Sequence, residues 1–194
     1  MSSAGLANHL QAQREPPSML VVVAHPDLAH SRINAAWLDA VRGIGGLTVD
    51  DLYGRYPDWR IDVAAEQDLL VRHQRIILQF PFQWYNCPPL LKHWLDTVLT
   101  NGWAYGTGGG ALKGKELGIA VSTWSKAGDY QPNARYRRTM QELTSPFEVT
   151  ARRLGMRYLP GFFLNGAGEV DDARLAENAH AYVAHLQGVA ESVA

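Results

Sequence analysis

The sequence predicts a doubly wound α/β domain with a five-stranded parallel sheet in the order 2-1-3-4-5. Three observations carry this expectation. Short apolar runs at 19–24, 75–80 and 116–122 lack a polar face, as strands buried on both sides do. Segments of helical period alternate with the strands, beginning with Ile33, Ala36, Trp37, Ala40 and Val41. Polar or aromatic loops join strand to helix, and in an open parallel sheet such loops at the carboxyl edge bind ligands.

The elements follow in order. After the first strand comes a polar loop, His25 to Ser31, and then the first helix, which Gly45 and Gly46 stop. A second strand is expected at 47–53, and a helix at 63–73 has Asp62 as its N-cap. The third strand is bounded by Pro81, and Pro88 and Pro89 suit the first turn of a helix at 88–100 whose inner face is Leu91, Trp94, Leu95 and Val98. A long glycine-rich connection at 101–115 precedes the fourth strand, and connections of that length in compact domains tend to carry function. Residues 134–154 read as helical with a break at Pro146, and 157–164 as a fifth strand that Pro160 places at a sheet edge. A turn at 165–168 leads to a closing helix at 171–189.

Composition narrows the function. The 194 residues, 46% hydrophobic, suit one domain at 19–194 behind a polar tail at 1–18. Eighteen basic and 19 acidic residues give a net charge of −1, which argues against nucleic acid and for a small-molecule partner. No apolar run reaches the length of a spanning helix, and Cys87, the only cysteine, has no disulfide partner within the chain, so a cytoplasmic location is expected. The seven histidines show no zinc-ligand spacing, and no metal is predicted. The dinucleotide glycine fingerprint, the Walker loop and the serine-hydrolase elbow are all missing.

The stretch 79–94 reads as a site. Phe82, Trp84 and Tyr85 can pack on the plane of a flat heteroaromatic ring while the amide of Gln83 bonds its edge; the same aromatics can also simply close the core. Ser31 and Asn34 open a helix, where free N–H groups favour a phosphate, although serine there is equally an ordinary cap. His25 can donate to a ligand oxygen or bond the loop backbone, and Cys87 reads as a small apolar filler rather than a nucleophile. Loops after strands one, three and four open on one edge and predict one pocket. Trp84 and Tyr85 wall it, with Trp103 and Tyr105 from the glycine-rich connection, and its shape suits FMN.

With these residues assembled, the chain resembles the flavodoxin-like NAD(P)H dehydrogenase (quinone) family, and within it the bacterial branch of potassium-efflux ancillary oxidoreductases and general stress proteins. The resemblance spans 20–186. Its blocks are Ala24, His25 and Pro26 with Ser31 and Asn34; Asp51 to Tyr53 with Tyr56 to Asp58; Ala65 to Gln67; Phe80 to Tyr85; Pro88 to Lys92; and Gly102 to Gly106.

The resemblance implies that His25, Ser31, Arg32, Ile33 and Asn34 hold the phosphate and ribityl end of FMN, rather than FAD. Phe82, Gln83, Trp84 and Tyr85 would bracket the ring, with Ser122, Thr123, Trp124 and Ser125 approaching it from the loop after strand four. It implies a ping-pong reaction in which NADPH or NADH gives a hydride to the flavin and a quinone or nitroaromatic acceptor then takes two electrons. Trp103, Tyr105 and Tyr130 would meet the substrate, with Tyr130 polarising the flavin. It further implies a homodimer with active sites at the subunit interface and admits a potassium efflux transporter as partner, which would place the protein peripherally at the inner membrane. One departure stands out: Trp124 and Ser125 occupy positions where the family usually has glycines. Two rival functions follow, a regulatory flavoprotein subunit of a glutathione-gated efflux transporter and a flavin-free binding protein whose pocket Trp124 has closed.

Overall fold

A computed structural model of the chain describes residues 18–188. The expected tail at 1–18 lies outside the described residues except for Ser18, whose carbonyl accepts from the N–H groups of Gln74 (2.9 Å) and Arg75 (3.1 Å). The elements are β1 (Met19–Val23), α1 (Arg32–Val41), β2 (Leu47–Asp51), α2 (Leu52–Arg55), α3 (Val63–Arg72), β3 (Arg75–Pro81), α4 (Pro89–Val98), β4 (Glu116–Thr123), α5 (Met140–Arg153), β5 (Arg157–Tyr158), β6 (Phe162–Asn165) and α6 (Asp172–Gly188). The strands form one parallel sheet in the order β2-β1-β3-β4-β5, with β6 also on β4, so the doubly wound topology expected from the sequence is the one observed.

Strand alternation divides the core into two layers. Val21 and Val23 of β1 pack with Ile77 against Trp37, Val41, Tyr182 and Leu186 of α1 and α6. Leu20 and Val22 face the other way, with Ile76, Leu78 and Phe80, onto Leu70, Leu91, Trp94 and Phe147 of α3, α4 and α5. Burial on both faces is why the central strands have no polar side.

Three expectations are corrected. The second strand stops at Asp51 instead of running to 53, because the Asp51 carboxylate accepts from Gly54 N–H (3.2 Å) and starts the short α2. The helix expected at 134–154 begins only at Met140, where Thr139 and Glu142 cap each other, and it does not break at Pro146. The Ser145 hydroxyl donates to the Glu142 carbonyl (2.8 Å), the acceptor that proline's missing N–H leaves free. The fifth strand is two pieces. Arg157 pairs with Glu116, but Phe162 pairs with Ala120, so the register slips by one residue between them, as at a β-bulge. Pro160 and Gly161 occupy that slip at the sheet edge, and a Cβ on Gly161 would meet the Phe163 ring at 2.5 Å.

Candidate active site

The carboxyl ends of β1, β3 and β4 converge on Ser122. Its hydroxyl accepts from Asn34 Nδ2 (3.0 Å) and its carbonyl accepts from Phe82 N–H (2.8 Å), so one residue of β4 ties the first turn of α1 to the loop leaving β3.

At the α1 end, Ser31 caps the helix by accepting from Asn34 N–H (3.2 Å). That bond uses one lone pair of the hydroxyl, so its O–H can still donate toward a ligand, beside the positive end of the helix and the N–H groups of Arg32 and Ile33. Their side chains are engaged elsewhere: Ile33 is buried in the core, and the Arg32 guanidinium donates to the Val170 carbonyl and to Asp172 Oδ1 (2.5 Å). Asn34 is buried, donates to Ser122, and leaves its Oδ1 without a partner among the described residues. His25 is half-buried, and its Nδ1 accepts from Asp27 N–H (3.1 Å). Burial holds its imidazole below the usual pKa, against the opposing pull of Asp27, so the ring is biased toward the neutral form.

At the β3 end, Gln83 and Asn86 exchange two backbone hydrogen bonds (2.8 and 2.9 Å), closing a two-residue turn over Trp84 and Tyr85. Both turn residues have positive φ, 49° and 62°, the geometry of a type I′ turn that asparagine and glycine normally fill. Trp84 is 93% exposed. The turn thus presents Trp84 to solvent, while the half-exposed Tyr85 ring meets Phe82 and Tyr136 edge-on.

The loop after β4 completes the surface. Phe82, Trp84, Tyr85, Trp124, Ser125, Tyr130 and Tyr136 line a depression of about 150 Å³. Its floor is a continuous aromatic chain. Phe82 meets Tyr85 edge-on (6.4 Å), Tyr85 meets Tyr136 (5.3 Å), and Tyr136 lies against the buried Tyr130 (5.0 Å). The Tyr136 hydroxyl is 2.7 Å from Ser125 Oγ, and Thr123 Oγ1 is 2.8 Å from both Ser125 O and Asn165 Oδ1. Of the residues expected at the site, Phe82, Trp84, Tyr85, Trp124, Ser125 and Tyr130 line this depression, with Tyr136 added. Its sequence signal was only a second aromatic six residues after Tyr130.

Trp103 and Tyr105 are not in this depression. They belong to the glycine-rich loop, where Tyr105 lies under the Arg153 guanidinium (4.9 Å) and lines a separate hollow of about 290 Å³ with Lys113 and Gly155. Within one chain the two hollows share no lining residue, so the single pocket expected from the sequence is corrected to two. Among the described residues no group of three or more His, Cys, Asp or Glu side chains is placed to hold a metal ion, and no helix is long and apolar enough to cross a membrane.

Residues 17–186 match the family defined by a flavodoxin-like fold. The chain belongs to that family. Among its flavodoxin-like relatives, YrkL of Bacillus subtilis (strain 168), described as an uncharacterized NAD(P)H oxidoreductase, is 46% identical over 168 residues, covering 87% of this chain and 97% of the relative. The glutathione-regulated potassium-efflux system ancillary protein KefG of Yersinia pestis (strain Pestoides F) is 40% identical over 173 residues, covering 89% and 95%. Three crystal structures superpose closely. General stress protein 14 of Treponema denticola, in complex with FMN, has a TM-score of 0.86 at 42% identity, covering 89% of this chain and 99% of that one. An NADPH-quinone reductase of P. pentosaceus has a TM-score of 0.80 at 36% identity, covering 91% and 99%. A protein of Streptomycin violaceusniger described as a thermophilic tryptophan halogenase has a TM-score of 0.85 at 44% identity, covering 90% and 99%.

Proposed function

We propose that this chain is an FMN-dependent NAD(P)H:quinone oxidoreductase that works by a two-electron ping-pong cycle. The observation that carries the reading is the strained Trp84–Tyr85 turn, which presents two aromatic rings at the sheet edge where α1 also points its N-terminus. The flavin-bound and quinone-reductase relatives support it.

The residues present fit FMN. The α1 turn offers backbone N–H groups and a dipole to a phosphate, and the buried Asn34 Oδ1, without a partner among the described residues, could accept from a ribityl hydroxyl. Phe82, Trp84 and Tyr85 would supply the ring's seat, with Gln83 closing their turn and Ser122, Thr123 and Ser125 fixing the loop beside it. Bound FMN would supply the two-electron carrier that joins NAD(P)H oxidation to quinone reduction. The net change is NAD(P)H, a proton and a quinone giving NAD(P)⁺ and a hydroquinone. Tyr130 and Tyr136 would hold hydroxyls beside the ring, with Ser125 fixing Tyr136. Trp103 and Tyr105 would reach an acceptor only from a second copy, which makes a homodimer part of the proposal.

The test is the visible spectrum of the purified protein with FMN under anaerobic conditions. Flavin bands that bleach with NADPH and return with a quinone support the cycle; a protein that stays colourless overturns it. Similarity to KefG favours a second reading, a cytoplasmic regulatory subunit docked on a potassium efflux transporter. Co-purification with a membrane transporter whose activity it raises, in a variant unable to turn over NADPH, would decide for that reading.

A further inference from the structure

Trp124 is 80% exposed. Its backbone, by contrast, is tightly held. Ala167 N–H donates to Thr123 O (3.0 Å), Gly166 N–H donates to Ser125 O (2.8 Å), and Lys126 pairs with Glu169 (2.8 Å). These contacts lash the β4 loop to the turn that leaves β6.

The Trp124 indole lies on Gly168. A Cβ built there would fall 2.9 Å from Trp124 Cζ2 and 3.0 Å from Cη2, closer than real side chains come. Gly168 has no positive φ that would demand glycine, so its lack of a side chain matters here as space for the indole. The same tryptophan lines the aromatic depression with Phe82, Trp84, Tyr85, Tyr130 and Tyr136.

We propose that Trp124 sets the size limit for the acceptor in this depression, and that Gly168 gives its indole the seat that keeps the depression open to one-ring and two-ring quinones. The inference rests on the oxidoreductase reading for the identity of the ligand and assigns Trp124 to the acceptor rather than to the flavin. A bulky wall at this position rejects wide ring systems by steric exclusion, which gives specificity without any new attractive contact.

The experiment compares the FMN-loaded wild type with Trp124→Gly and Gly168→Ala. FMN affinity is read by flavin fluorescence titration. Affinities for duroquinone (one ring) and anthraquinone sulfonate (three fused rings) are read by equilibrium quenching of the oxidised protein, and kcat/KM for both is measured alongside. For Trp124→Gly the proposal expects FMN and duroquinone affinity within about twofold of wild type and anthraquinone sulfonate binding at least about tenfold tighter. For Gly168→Ala the added methyl unseats the indole, and both quinones bind more weakly. A Trp124→Gly protein that loses FMN affinity tenfold or more would overturn the proposal by making Trp124 part of the flavin seat, as would an unchanged preference between the two quinones. Failure of wild type to bind FMN overturns the oxidoreductase reading separately; quenching of the flavin-free protein by the same two quinones then still reads the size limit.

Discussion

The Tyr56 hydroxyl donates to Glu66 Oε1 across 2.6 Å at a point sealed from solvent, and Trp94 Nε1 donates to the other carboxylate oxygen at 2.8 Å. Glu66 is fully buried, so α2, α3 and α4 are joined through one desolvated carboxylate whose two oxygens are both satisfied. Arg55 closes the cluster, 2.9 Å from Asp50 and 3.4 Å from Glu66. Removing the tyrosine hydroxyl leaves one oxygen short of a donor. Tyr56→Phe is expected to lower the unfolding free energy by about 1–3 kcal/mol in urea titration, with no change in FMN affinity. A change below a few tenths of a kcal/mol would show that the hydrogen bond is not made in solution.

Asp50 in the same cluster titrates unusually. Burial, and then the nearby Glu66 carboxylate, push it up to about 6 in spite of Arg55. The protonated form is favoured in the folded chain relative to the unfolded one, so its stabilising effect is full below about pH 4 and is lost as pH rises through about 6. Asp50→Asn cannot titrate. The difference in stability between wild type and Asp50→Asn is expected to move against wild type by about 1–3 kcal/mol between pH 4 and pH 7. Subtracting the variant cancels the groups that the two proteins share. A difference that stays flat would mean that Asp50 is ionised throughout.

Much of this architecture was legible in the sequence because it follows from local pattern. The two-sided apolar runs gave the buried strands, and Asp62 caps α3 by accepting from Ala65 N–H (3.1 Å), as a carboxylate before a helical period should. What was not legible depends on partners distant in sequence or on exceptions to local rules. Nothing local shows that Ser145 compensates Pro146, or that the fifth strand slips one residue against β4. At the site, aromatic composition singled out Phe82 to Tyr85, but no propensity places tryptophan and tyrosine in a turn that asparagine and glycine prefer. Nothing local shows that Tyr105 lines a hollow separate from the aromatic depression of its own chain, because a loop of fifteen residues can lie at either side of the strand it precedes.

Cys87 should be chemically quiet. It is buried beside Pro88, its backbone N–H donates to Asn86 Oδ1 (2.8 Å), and burial pushes its thiol up to about 11. At pH 8 the thiolate fraction is then on the order of one in a thousand, and reaction with a disulfide reagent is expected to be slower than for free cysteine by about two orders of magnitude or more. Full, rapid labelling of the native protein at pH 8 would contradict the burial seen here. Cys87→Ala is expected to retain catalytic turnover, since no ligand-facing group depends on the thiol.

The Trp84–Tyr85 turn gives the sharpest prediction, because stability and function pull apart there. Two non-glycine residues at positive φ cost about 1–3 kcal/mol each when nothing compensates them. Trp84 is almost wholly exposed and loses little by removal; Tyr85 gives up edge contacts with Phe82 and Tyr136. Replacing both as Trp84→Asn and Tyr85→Gly installs the turn residues this backbone prefers while leaving the Gln83–Asn86 hydrogen bonds in place. The double variant is expected to be more stable by about 1 kcal/mol in urea unfolding and to bind FMN at least about tenfold more weakly. Stability and FMN affinity falling together would make the two rings ordinary packing. Greater stability with FMN affinity intact would leave the strain without a function and move the flavin seat elsewhere. Only the opposed pair of changes identifies this turn as backbone strain kept for the sake of the ring it presents.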